Sequence, residues 1–171
     1  MKARPWTWLA MGIAALALLA AIRQEAPAPL VGERALALEL LHESGSVWSL
    51  EDYRGRVLVL NLWATWCPPC RAEMPALQRL SEALPDDGFA VVGISVDEDV
   101  YLVEEFLRRL GVRFEVVVDP RGERVNAVLG PRAFPETFLI RADGVIADRI
   151  LGEQEWDGEY WQARIRALHD A

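Results

Sequence analysis

Two cysteines, Cys67 and Cys70, are the only ones in the 171-residue chain, and they stand C-x-x-C within Trp66-Cys67-Pro68-Pro69-Cys70. The motif lies where a continuous β-rich run, residues 57–62, gives way to a helix-like stretch, residues 70–84. A cysteine just before a helix meets unpaired backbone N–H groups and the positive end of the helix dipole, and both stabilise a thiolate. The thiolate is the species that attacks disulfides. Spacing and context together point to dithiol–disulfide exchange.

Three other readings of the pair compete. A purely structural disulfide at this spacing closes a very short loop and constrains little unfolded chain. A structural zinc site needs four ligands, and only His42 and His169, in unrelated contexts, are left to complete it. A peroxide-reducing thiol, as known from peroxiredoxins, has Thr three residues before the reactive cysteine. Here Ala64 holds that position and Thr65 stands two before Cys67.

The length fits one domain plus an appendage and allows a real core. The net charge of -8 and the lack of a basic patch argue against a nucleic-acid partner. Lys2 and Arg4 precede an uncharged apolar run at residues 6–22, and Arg23 follows. A positive leader before an apolar segment reads as a secretory signal or signal anchor. An uncleaved anchor at residues 1–23 is favoured, with Trp6 and Trp8 suited to the membrane interface. The charge bias then puts the remainder on the extracytoplasmic side of a bacterial cell membrane. Residues 24–30, with Pro27 and Pro29, read as a linker, and residues 31–171 as the folded domain.

Along that domain, short strands are expected at 37–41 and 47–49 around the turn Glu43-Ser44-Gly45-Ser46, then a helical turn at 50–53. Residues 57–62 should form a central strand buried on both faces, with Asn61 as its polar exception. The following helix carries Met74, Leu77, Leu80 and Leu84 on one side, and Pro75 should kink it. A strand at 89–96 precedes a helix capped by Asp99, whose Val103, Phe106, Leu107 and Leu110 share a face. Asp97-Glu98-Asp99 lacks the glycine and distal glutamate of a calcium loop and reads as a helix cap. Further elements are a strand at 114–118, a short helix at 123–129, a hairpin of 137–140 with 145–151 about Asp143-Gly144, and a last helix at 155–169. Alternating strands and helices ending in a hairpin mean a mixed α/β sheet with helices on both faces.

The stretch from Asn61 to Pro75, with Trp66-Cys67-Pro68-Pro69-Cys70 at its centre, resembles the active site of the thioredoxin-like family. More narrowly it is similar to exported TlpA/ResA/CcmG-type thiol-disulfide oxidoreductases. Phe134-Pro135-Glu136-Thr137-Phe138-Leu139-Ile140 followed by Asp143-Gly144 agrees, and so does a helix inserted after Asp97-Glu98-Asp99. The resemblance covers roughly residues 31–168. It implies a thioredoxin-like sheet with an N-terminal β-hairpin extension and a central helix insertion, and a cis Pro135 beside the disulfide. It also implies reduction of protein disulfides outside the cytoplasm. Electrons would come from a membrane thiol transporter of DsbD/CcdA type, with apocytochrome c as leading client. Separately, no cofactor is expected, and nothing in the sequence suggests more than a monomer. Copper-site cysteines are an alternative client and disulfide oxidation an alternative direction. A redox-inert or metal-carrying module is disfavoured by the C-x-x-C spacing and the absence of a His near Pro135.

Within that frame Cys67 is the expected exposed nucleophile and Cys70 the buried resolving thiol. Pro68 has no N–H, so one donor to the sulfur is missing. Trp66 is expected on the active-site rim and Trp63 in the core. Phe134 is expected either to narrow client choice or to be core. Asn61 stands where thioredoxin has a buried, proton-relaying Asp. Glu73 is expected either to handle protons for Cys70 or to be a helix-surface residue beside Arg71. Glu136 is expected to make the rim acidic.

Overall fold

A computed structural model describes residues 31–35, 37–41, 46–85 and 87–169. The expected anchor and linker, the turn tip at 42–45 and His42 lie outside the described residues. Among the described residues, no helix is long and apolar enough to cross a membrane.

The centre is strand β3 (Val57–Trp63), buried along its whole length. Its side chains alternate between two cores, as the period of a strand requires. Val57, Val59 and Trp63 join one cluster, and Leu58, Leu60 and Leu62 the other. Parallel to β3 runs β4 (Phe89–Ser95), and parallel to β4 runs β5 (Glu115–Val118). On the other side β6 (Glu136–Ile140) pairs antiparallel with β3, and β7 (Ile146–Leu151) antiparallel with β6. The order is β5-β4-β3-β6-β7. A separate antiparallel hairpin, β1 (Glu39–Leu41) with β2 (Val47–Ser49), precedes a 3-10 turn at Leu50–Tyr53.

Helix α1 (Pro68–Ala83) connects β3 to β4, and α2 (Val100–Leu110) connects β4 to β5. Both pack on the Val59 and Trp63 face, as does α4 (Glu159–Ala167) through Ile165. The other face is covered by the hairpin, the 3-10 turn and α3 (Glu123–Val128) through Val125. The expected mixed sheet with helices on both faces is therefore observed.

Several boundaries shift from the sequence reading, most by one or two residues, and two of the differences bear on the site. α1 starts at Pro68 rather than Cys70, because proline is well suited to the first helical positions, and it runs unbroken past Pro75. The last helix starts at Glu159 rather than 155. Residues 155–158 form a turn, closed by Gly158 N–H to Glu155 O at 2.8 Å, that turns Trp156 into the core, where it is fully buried.

Candidate active site

Cys67 and Cys70 are joined by a disulfide with Cα atoms 5.3 Å apart. Cys67 is the N-cap of α1, and its Sγ accepts the Cys70 backbone N–H at 3.3 Å. The first two helical positions are Pro68 and Pro69, neither of which has an N–H. The next free amide, that of Arg71, goes to Cys67 O at 3.1 Å. The sulfur therefore draws on one backbone donor where an N-cap can receive from either the second or the third helical position. Cys67 is the more accessible residue of the pair, at 4% against 0% for Cys70. The expected exposed nucleophile is nonetheless largely covered in this disulfide state, within a cluster against which Phe134 packs.

Glu73 lies on the buried stripe of α1 with Cys70, Met74, Leu77 and Leu80. It is not a surface residue beside Arg71. Three donors converge on it: Asn61 Nδ2 on Oε1 at 2.7 Å, and Trp156 Nε1 at 2.8 Å and the Gln154 N–H at 3.2 Å on Oε2. Burial nevertheless outweighs those bonds and pushes its carboxyl up to about 7. Asn61 also donates to Thr137 Oγ1 at 2.9 Å, while its own Oδ1 is buried without a hydrogen-bond partner among the described residues. Trp156 escaped sequence reasoning because a Trp near a helix start carries no local signal of a partner 83 residues away. Burial of Glu73 was detectable: it stands three residues after Cys70 and one before Met74 on the apolar period.

The Phe134–Pro135 peptide is cis, as expected. Phe134 is partly buried and meets Trp66 edge to face, with ring centroids 6.1 Å apart. Trp66 itself is 64% exposed, which places it on the rim. Beside the pair runs a groove of about 610 Å³ whose walls include Trp66, Phe134, Leu102, Glu98 and Arg121. Trp63 is core, as expected.

Glu136 does not make an acidic rim. Its side chain is fully buried, and Arg149 Nε donates to it at 3.0 Å. Arg132 donates through Nη2 at 3.0 Å and through its backbone N–H at 2.9 Å. Burial alone would raise its carboxyl, but the Arg149 and Arg132 bonds prevail and hold it below the usual carboxylate value. β6 lies between β3 and β7 and is buried along its whole length, so Glu136 has no open face to reach. His169 is exposed, and its ring stacks on Phe89 at 5.2 Å. Asp99 caps α2 as expected, accepting from the Tyr101 N–H at 2.9 Å. Asp97 is no cap: it is buried and turned toward Thr65.

A redox pair at a helix start, a cis-proline loop and this strand order together define a thioredoxin-like thiol-disulfide oxidoreductase. The chain belongs to the AhpC/TSA family, whose model matches residues 31–149. Thiol-disulfide oxidoreductase ResA of Geobacillus kaustophilus is 36% identical over 129 residues, covering 75% of this chain and 73% of the relative. A candidate thiol:disulfide interchange protein DsbE from Chlorobium tepidum superposes with a TM-score of 0.73 at 29% identity, covering 82% of this chain and 98% of that one. A secreted thiol-disulfide isomerase from Corynebacterium glutamicum superposes at 0.66 with 26% identity, covering 80% and 84%. Peroxide chemistry is not favoured by the site: Thr65 Oγ1 donates to Asp97 at 2.6 Å, and Ala64 stands where peroxiredoxins have their Thr.

Proposed function

We propose that the chain is a membrane-anchored reductant of specific protein disulfides on the extracytoplasmic side of a bacterial membrane. The observation that carries the direction is the single backbone donor at Cys67 Sγ. A strong oxidant owes its potential to a stabilised reduced form. Here Pro69, at the second helical position, withholds an amide that could stabilise the thiolate, which favours a reductant.

In that reading the Cys67 thiolate attacks a client disulfide, forming a mixed disulfide and releasing one client thiolate. Cys70, deprotonated, attacks Cys67 Sγ and releases the second. Two electrons pass to the client and the Cys67–Cys70 disulfide remains. A DsbD/CcdA-like thiol transporter in the membrane would return it to the dithiol. Glu73, one helical turn from Cys70 on the same buried side, accepts the Cys70 proton near neutral pH. The resulting O–H needs an acceptor, and rotation of the Asn61 amide would present Oδ1 to it. Trp66 and Phe134 frame the groove in which a client chain lies.

The similarity to ResA and to DsbE-type structures supports apocytochrome c as the leading client, its haem-binding C-x-x-C pair being reduced before haem attachment. The leader at residues 1–23 supports the anchor and the location. The test is the reduction potential of Cys67–Cys70 in a glutathione or dithiothreitol buffer. A value near or below about -250 mV, in the thioredoxin range, is expected, and one near about -120 mV reverses the direction. A reporter enzyme active only outside the cytoplasm, fused after Ala171, should be active and sediment with membranes.

A further inference from the structure

The β4–α2 loop holds a carboxylate that the exchange chemistry has not used. Asp97 is buried, and all of its described bonds run to two residues. Oδ2 accepts the Thr65 backbone N–H at 2.8 Å and Ser95 Oγ at 2.6 Å. Oδ1 accepts Thr65 Oγ1 at 2.6 Å. Ser95 Oγ in turn accepts the Asp97 N–H at 3.1 Å. Three donors on one carboxylate form a satisfied buried cluster, which rigidifies what it joins.

What it joins is the turn that presents the nucleophile. The Cys67 N–H donates to Ala64 O at 3.2 Å, so residues 64–67 close a turn with Thr65 at its first inner position. Asp97 grips that residue by backbone and side chain together. The same strand ends are tied once more by the Val96 N–H to Trp63 O at 3.0 Å. Trp66, between the gripped residue and the nucleophile, and Asp97 itself both border the groove.

We infer that Asp97 is a positioning residue: through Thr65 it keeps Cys67 in register with Cys70 when the disulfide is open. In the oxidised form the covalent ring does this already. In the dithiol that ring is open, and the Asp97 clamp joins α1 and the turn's own backbone bonds in holding the two thiols together. The clamp therefore raises the effective concentration of one thiol at the other. That favours ring closure, the balanced reaction being dithiol plus glutathione disulfide giving the Cys67–Cys70 disulfide and two glutathiones. A clamped site is a stronger reductant. The inference rests on the thiol-disulfide chemistry alone and holds whatever the client or location.

The test uses the full chain with Thr65→Val, Thr65→Ser and Asp97→Asn, equilibrated against glutathione and checked by circular dichroism for fold. Thr65→Val should lower the equilibrium constant for closing the Cys67–Cys70 disulfide at least about threefold, a tenfold fall corresponding to about 30 mV. Thr65→Ser, which keeps the hydroxyl, should restore the wild-type constant, and Asp97→Asn should fall at least as far as Thr65→Val. A folded Thr65→Val whose constant falls by less, or rises, overturns the inference. So does a Thr65→Ser variant that behaves like Thr65→Val. If Asp97→Asn fails to fold, the two Thr65 variants decide the matter alone.

Discussion

Glu73 accepts three hydrogen bonds and still titrates near pH 7, because burial penalises its charge more than the donors repay. Its pKa is raised from 4.5 to about 7 on folding. Between those values the folded protein holds a proton that the unfolded chain has released. Stability from this group is therefore complete at low pH and declines as pH rises from about 4.5 to about 7. Each tenfold difference in proton affinity between the folded and unfolded chain corresponds to about 1.4 kcal/mol. Glu73→Gln should flatten that part of the stability profile, read by urea unfolding at pH 5 and pH 8. It should also shift the thiol titration of Cys70, and an unchanged titration of both cysteines would remove Glu73 from the proton path. Glu136 behaves oppositely. Its carboxyl is held below the ordinary value by Arg149 and Arg132, so its contribution is present above pH 4.5 and is lost as pH falls through the lowered value. Removing one partner of a buried pair is costly, and Glu136→Gln should destabilise the protein by about 3 kcal/mol in urea unfolding.

At the scale of elements, the start of α1 and the strands beneath it set the chemistry. Pro68 and Pro69 define a helix start that leaves Cys67 Sγ one backbone donor. Pro69→Ala adds an N–H at the second helical position, where N-cap acceptors commonly find one. The Cys67 thiol pKa should fall, the reduced form should gain stability, and the potential should rise by about 30 mV for each tenfold gain. Thiolate absorbance and glutathione equilibration read the two effects; an unchanged potential would show that the second amide does not reach the sulfur. In β4, a side chain on Gly93 would come within 3.0 Å of Trp63 Nε1 and 3.3 Å of Phe114 and Val116. Gly93→Ala should therefore cost about 1–3 kcal/mol through overpacking, checked by the denaturation midpoint.

Across the whole molecule, the site is assembled from distant segments. Cys67, Cys70 and Glu73 belong to one helix and its N-cap, but Asn61 comes from β3, Thr137 from β6, and Gln154 and Trp156 from the segment after β7. The C-terminal part of the chain thereby helps set the proton affinity of a residue near its middle. Trp156→Phe keeps most of the packing and removes one donor to the carboxylate. The Glu73 pKa should rise further, and the loss of stability should extend to higher pH; a pKa that stays put would show that this indole bond does not matter.

Much of this was decided locally. The apolar run of β3, the glycine and aspartate punctuation of α2, the hairpin about Asp143-Gly144 and the C-x-x-C at a helix start all follow from period, capping and turn chemistry. These depend on neighbours a few positions away, so the sequence alone determined the α/β class and the redox pair, while a cis Pro135 beside the disulfide followed from the family resemblance. Tertiary structure decided which polar side chains turn inward and whom they meet. It sent Glu136 to two arginines rather than to the rim, Asp97 to Thr65 rather than to a helix end, and Trp156 to Glu73. Those outcomes depend on register between strands and helices far apart in the chain. A buried polar group takes the partner that the assembled fold brings within hydrogen-bond reach, and local sequence carries no record of that partner.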